Sequence, residues 1–174
     1  MKFAVLGAGC FWCIEAIFGQ LDGVVSVKSG YTGGTVENPT YEQICTGNTN
    51  HAEVCKITYD PKIINYEKLL HVFFENHDPT TLNQQGADKG TQYRSAIFYS
   101  DSTEQRIAIK IREEIDKTNY YSNSIVTEIS KLDIFYEAED YHQNYYEKNS
   151  NQPYCRFVIK PKLDKFLKNK KSNQ

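Results

Sequence analysis

Nine residues, Gly7 to Glu15, restrict this chain more than any others: Gly-Ala-Gly-Cys-Phe-Trp-Cys-Ile-Glu. An apolar run, Phe3 to Leu6, precedes them, and Ile14 to Leu21 continues with helical spacing. The pieces predict a strand, a glycine turn and a helix, with Cys10 where the helix begins. The partial positive charge of a helix N-terminus favours a thiolate, so this reading predicts a lowered pKa for that thiol. Phe11 and Trp12, the single tryptophan, offer an apolar wall beside it. The same residues also suit a plain buried cysteine pair in a strand-helix turn.

Five cysteines in 174 residues do not make a disulfide scaffold. The number is odd, and a chain of this length can bury a core without staples. They also make a poor zinc site. Cys10 and Cys13 form one Cys-x-x-Cys pair, Cys45, Cys55 and Cys155 form no second, and His51 and His142 add no ligand spacing. A formal charge of -2 points to neither nucleic acid nor a membrane surface. The basic stretch Lys160 to Lys171 contains Asp164 and reads as a solvated helix end. No apolar run approaches the roughly 20 residues of a membrane span, and Gly7 to Cys10 interrupts the N-terminal apolar run too early for a signal peptide. A cytoplasmic protein is the expectation, with thiol chemistry as the best use of its cysteines.

Further along, Val24 to Tyr31, Ala52 to Tyr59, Arg94 to Ser100 and Val126 to Leu132 read as strands. Tyr66 to Asn76 has a helical apolar face, as does the run ending near Lys117, which Ser102 or Thr103 would cap. A short helix fits Tyr41 to Cys45, and a longer one, dense in aromatics, fits Ala138 to Lys148. Arg156 to Ile159 reads as extended. Pro161 opens a last helix that frays from Lys168 to Gln174. Asp78 to Tyr93 is polar and long for a connection, which marks it as functional or disordered. Several strands follow one another through loops too short for a crossover. The expectation is therefore one domain over 1–174, of α+β class: a two-layer sandwich with a mixed or antiparallel sheet core, helices on one face, and long functional loops at one end.

Other chemistry-bearing residues are spread along the chain. Glu53 begins a strand among apolar neighbours. If desolvated, it would be a neutral acid able to donate a proton; if exposed, an ordinary strand-end glutamate. Tyr41 and Tyr93 are phenols in polar loops, suited to hydrogen-bonding an oxygen atom or simply to packing. Asp88 shares the long loop with Tyr93 and also suits a turn. Glu139 to Gln143 contains His142 but no neighbouring nucleophile.

Seven motifs then occur in order: Gly9-Cys10-Phe11-Trp12, Gly30-Tyr31-Thr32-Gly33-Gly34, Pro39-Thr40-Tyr41, His51-Ala52-Glu53-Val54, His77-Asp78-Pro79-Thr80, Gly90-Thr91-Gln92-Tyr93-Arg94-Ser95 and Ala138-Glu139-Asp140-Tyr141-His142-Gln143. With them the chain resembles the A-type peptide methionine sulfoxide reductases over about Phe3 to Phe166. The resemblance implies reduction of the S epimer of methionine sulfoxide, free or in oxidised proteins, to methionine. It implies Cys10 as nucleophile, Phe11 and Trp12 around the S-methyl group, and Glu53, Tyr41 and Tyr93 around the sulfoxide oxygen, with Glu53 as the acid. Asp88 would help to place substrate or water. A disulfide would then form and be reduced by thioredoxin or a dithiol, and the resemblance implies no metal or organic cofactor. The common family pattern has glycine where this chain has Cys13, so either Cys13 or Cys155, in Pro153-Tyr154-Cys155, is the resolving thiol. Cys155 would need the tail to fold over the site. Cys45 and Cys55 read as structural, and a monomer is the expectation. The rivals are a thioredoxin-like dithiol oxidoreductase using Cys10 and Cys13, and a non-catalytic module that captures methionine sulfoxide or methionine side chains.

Overall fold

Alternating apolar residues set the sheet, because successive side chains of a strand point to opposite faces. A computed structural model describes residues 1–172. Its strands are β1 (Lys2–Gly7), β2 (Val24–Thr32), β3 (Ala52–Tyr59), β4 (Gln84–Gln85), β5 (Asp88–Lys89), β6 (Ala96–Tyr99), β7 (Glu128–Lys131) and β8 (Tyr136–Glu137). Its helices are α1 (Phe11–Phe18), α2 (Tyr41–Cys45), α3 (Tyr66–Glu75), α4 (Ser102–Lys117), α5 (Tyr145–Lys148) and α6 (Lys160–Ser172). Six strands form one sheet in the order β7-β6-β1-β3-β2-β8, and β4 and β5 form a separate small hairpin. All neighbours in the large sheet are antiparallel except β6 and β7, whose parallel pairing is made possible by the crossover through α4.

Leu6, Cys55, Ile57 and Ile97 face the helices, where they join Ile14, Phe18, Leu69, Phe73 and Ile111 in the main core. The intervening Val5, Val54, Ala96 and Phe98 form a smaller cluster on the other face, covered by Phe3, Leu132 and Phe135. The expected α+β sandwich of mixed sheet and helices is therefore present, with its helices on one face.

Four local expectations differ from what the chain does. Asp101, not Ser102 or Thr103, caps α4, its carboxylate accepting the Glu104 N–H at 2.8 Å. A charged acceptor makes the stronger bond. Ala138 to Lys148 is not one helix. Ala138 N–H pairs with Ser29 O, the buried Gln143 side chain bonds both Ser29 N and Ser29 O, and Asn144 turns the chain at φ 54° before α5. This segment continues the edge pairing begun by β8, so local helix preference loses to the unpaired edge of β2. Arg156 to Ile159 is not extended but lies in a π turn (Cys155–Ile159), closed by Lys160 N–H on Cys155 O. Pro161 has no N–H, and its ring would clash with the Phe157 carbonyl in regular α geometry; the wider turn accommodates both. Finally, α6 stays helical through Ser172 rather than fraying from Lys168; positions 173 and 174 lie outside the described residues.

The long Asp78–Tyr93 connection is ordered by the β4–β5 hairpin and a 3-10 turn (Thr91–Tyr93). His77 anchors its start, one ring nitrogen donating to Phe73 O and the other accepting from Ser95 Oγ at 2.7 Å. Burial keeps that imidazole neutral, its pKa pushed down to about 4.

Candidate active site

Gly9 makes the turn into α1 at φ +83°, and a Cβ there would lie 2.7 Å from the Gln85 side chain. Only glycine suits both demands. Cys10 is the N-cap residue of α1, with Cys13 one turn further on. Both residues are almost fully buried, at 7% and 5% exposure, and stand one helical turn apart, close enough for each thiol to act on the other. The Trp12 N–H favours the Cys10 anion, as the helix N-terminus predicts. Burial outweighs it. The Cys10 thiol is held well above its ordinary value, with the Cys13 contact and the charge of Glu53 adding to the effect, against the sequence expectation of a lowered pKa. Cys13 is shifted down, chiefly by its hydrogen bond with Cys10, then by the Lys162 ammonium and the Tyr154 phenol.

Glu53 stands on β3 opposite Tyr31 of β2, on the helix-facing side of the sheet. Its Oε1 accepts the Phe11 N–H at 3.2 Å, while Oε2 is buried without a partner. Burial pushes this carboxyl up to about 8; the Phe11 N–H opposes the shift and the charges of Asp88 and Cys13 add to it. The desolvated alternative is thus the one that occurs. The charge of Glu53 bears in turn on Tyr41 and Tyr93, whose phenols burial keeps protonated. Each phenol is held by its own scaffold. A capping box between Thr40 and Gln43 starts the helix that Tyr41 opens, and Tyr41 N–H donates to Glu139 Oε2 at 2.9 Å. The other Glu139 oxygen takes the Tyr31 hydroxyl, also at 2.9 Å. Tyr93 ends the 3-10 turn, which Thr91 Oγ1 ties to Gly47 O and Arg94 ties to Glu128.

The apolar side is a stack of aromatic rings. Phe11 is fully buried, its ring against Tyr31 and His142, so it forms a floor rather than an exposed wall. Trp12 is half-buried, stacked on Tyr145 at 3.7 Å between centroids, and its indole N–H donates to His142 Nδ1 at 3.0 Å. Asp88, from the β4–β5 hairpin, accepts the Tyr154 hydroxyl at 2.7 Å. Cys155, next in sequence, is buried in the π turn. The π turn and the last helix pack against α1. Cys55 is buried beneath, donating to Phe11 O, whereas Cys45 is exposed at the end of α2 and contacts Tyr41 rather than packing in the core.

All the residues singled out from sequence around Cys10 thus converge on one place. His142, Tyr145, Tyr154 and Lys162 join the site without a sequence motif that assigns them to it: the aromatic-rich stretch from Ala138 to Lys148 is the signal for His142 and Tyr145, and Lys162 belongs to a basic stretch that reads as solvated. Among the described residues no group of three or more His, Cys, Asp or Glu side chains is arranged to hold a metal, and no helix is long and apolar enough to cross a membrane. A cavity of about 720 Å³ lies elsewhere, lined by Phe74 of α3, Ile115 of α4 and Phe166 of α6, and no predicted site residue lines it.

The family model for peptide methionine sulfoxide reductase matches residues 2–174. The peptide methionine sulfoxide reductase MsrA of a Nitratiruptor species is 57% identical over 164 residues, 94% of this chain and 93% of the relative. The crystal structure of Mxr1 from Saccharomyces cerevisiae in reduced form superposes with a TM-score of 0.83 at 40% identity, covering 88% of each chain. Mxr1 in complex with Trx2 gives 0.58 at 31% identity, covering 83% of this chain and 84% of that one.

Proposed function

The chain belongs to the peptide methionine sulfoxide reductase family, and on that premise we propose how its residues divide the thiol-dependent reduction of methionine sulfoxide. Cys10 attacks the sulfur of the S epimer. Glu53, neutral below about pH 8, presents its unpartnered Oε2 to the sulfoxide oxygen and protonates it as negative charge gathers there. Tyr41 and Tyr93 donate hydrogen bonds to the same oxygen. The S-methyl group rests on Trp12 over the Phe11 floor, and Asp88, held by Tyr154, helps to place substrate or water. Methionine leaves, and Cys10 remains as a sulfenic acid.

The observation that carries this reading is a buried neutral carboxylic acid, bonded to the first helical N–H after Cys10, with one oxygen unused. Dithiol exchange offers no substrate oxygen for such an acid to protonate. Cys13 is the main resolving thiol because it lies one helical turn from Cys10 and needs little motion to reach it; Cys155, in the adjacent turn, acts as a second or alternative one. Thioredoxin reduces the resulting disulfide, a role supported by the complex of the related Mxr1 with Trx2. The whole chain acts as one catalytic domain, a cytoplasmic monomer repairing oxidised proteins without metal or organic cofactor.

The test supplies each methionine sulfoxide epimer with a dithiol. The S epimer should yield methionine and the R epimer should persist, with Cys10→Ser inactive. Absence of methionine from both would sink the reading. Peptide mapping of the non-reduced, substrate-oxidised protein should find Cys10 joined to Cys13. A Cys10–Cys155 linkage without it would reverse the choice of resolving thiol.

A further inference from the structure

The last helix brings a full positive charge to Cys13. Lys162 and Cys13 line the same small void under α1, together with Ala8, Ile14, Phe73 and Asn76. Lys162 is half-buried, and no carboxylate pairs with it among the described residues. A partly desolvated ammonium needs an anion nearby, and Cys13 is the one acidic group lining that void. His77, which also feels Lys162, is kept neutral and can neither repel nor neutralise it. The Tyr154 phenol has one proton for two acceptors, the Asp88 carboxylate and the Cys13 sulfur.

We propose that Lys162 is a positioning residue for the second half of the reaction, its ammonium holding Cys13 as the thiolate that closes the disulfide with Cys10. The inference rests on the function proposed above. In the first step the substrate sulfur gains two electrons and Cys10 loses them, becoming a sulfenic acid. In the second, the Cys13 thiolate attacks the Cys10 sulfur. An S–S bond forms, the S–O bond breaks, and the departing hydroxide takes up a proton as water. Only the second step needs the Cys13 anion, so its rate carries the pH dependence of that thiol.

Other charged and titratable groups facing Cys13 come from four elements. Cys10, the N-cap residue of α1, is the thiol that acts most strongly on it. Glu53 and Cys55 lie on β3 below it, both acting as neutral groups near neutral pH. Asp88 of β5 opposes the anion, and Cys155 in the π turn is buried and raised toward its thiol form. Lys162 is the full positive charge in this set.

The experiment is a single turnover of the full chain without external reductant, quenched over time and across pH, with methionine and the Cys10–Cys13 disulfide followed separately. Lys162→Met and Lys162→Gln should still form methionine. Their disulfide formation at neutral pH should slow about tenfold, with its pH midpoint raised by about one unit, which is a tenfold smaller thiolate fraction. Lys162→Arg should restore both, separating charge from packing. An unshifted midpoint in the Met and Gln variants, or no rescue by Arg, would overturn the inference. Failure of methionine to form in the unmodified chain would instead remove the proposed function. A disulfide made only with Cys155 would remove Cys13 as resolver. Either result would take away the basis for Lys162 and is read from a different signal.

Discussion

His142 carries a role that its position in the chain does not suggest. Nδ1 accepts the Trp12 indole proton, so the neutral ring must carry its own proton on Nε2. Protonating Nδ1 would set N–H against N–H and release the indole. Burial pushes the His142 pKa below its ordinary value, so the pairing is intact at neutral pH and is lost only on acidification. Replacing His142 with Phe keeps an aromatic ring but removes the acceptor. The expected outcome is a KM raised several-fold, on the order of the 1–2 kcal/mol of one lost hydrogen bond, with a smaller change in kcat and a shifted Trp12 emission. Steady-state kinetics and fluorescence of the two proteins check it. Gly9 offers a second test at this scale. Gly9→Ala combines a strained φ with a Cβ pressed on Gln85, so it should displace the turn that aims Cys10 and lower activity at least tenfold.

Elements defined by their own periodicity were legible: β1, β2, β3, α2, α3 and the body of α4 fall within a residue or two of the expected limits. Those that were not legible are short and set by distant partners. β8 and the segment after it follow the free edge of β2 through Ala138 and Gln143, and the π turn follows from Pro161 in the next turn. Neither cause is visible in a local window. The cap of α4 was a near miss, since Asp101, Ser102 and Thr103 are all cap-forming residues and only geometry selects the first. Asp101→Ala should therefore lower stability by about 1 kcal/mol, whereas Ser102→Ala should change it little. In urea unfolding the Asp101→Ala midpoint should fall with no change in slope.

Across the whole molecule, the site is built from motifs far apart in sequence that the sheet brings together. Antiparallel pairing of β3 with β1 and β2 sets Glu53 beneath the N-terminus of α1, the hairpin brings Asp88, and the π turn with Tyr154 and Cys155 and the last helix with Lys162 close the back. Cys10, Glu53, Tyr41 and Tyr93 stand out in the sequence because they lie in ordered, specific motifs; Asp88 lies in none of them and stands out only by the long polar loop it shares with Tyr93. The aromatic and cationic supports were not, because their meaning lies in contacts with Trp12 and Cys13 that no spacing encodes. Burial also reversed one expectation: a helix N-terminus alone would lower the Cys10 pKa, but removing the sulfur from water raises it further. In the mechanism proposed above, attack by Cys10 goes together with protonation of the substrate oxygen, the task given to Glu53. Rates of methionine formation in a single turnover, measured across pH for the unmodified chain and for Glu53→Gln, test this assignment most directly. The unmodified rate should lose its Glu53-dependent limb as pH rises through about 8, and Glu53→Gln should lack this limb and be slower by roughly 10²–10⁴ while still exchanging disulfides. Methionine formed by Glu53→Gln at the unmodified rate would contradict it.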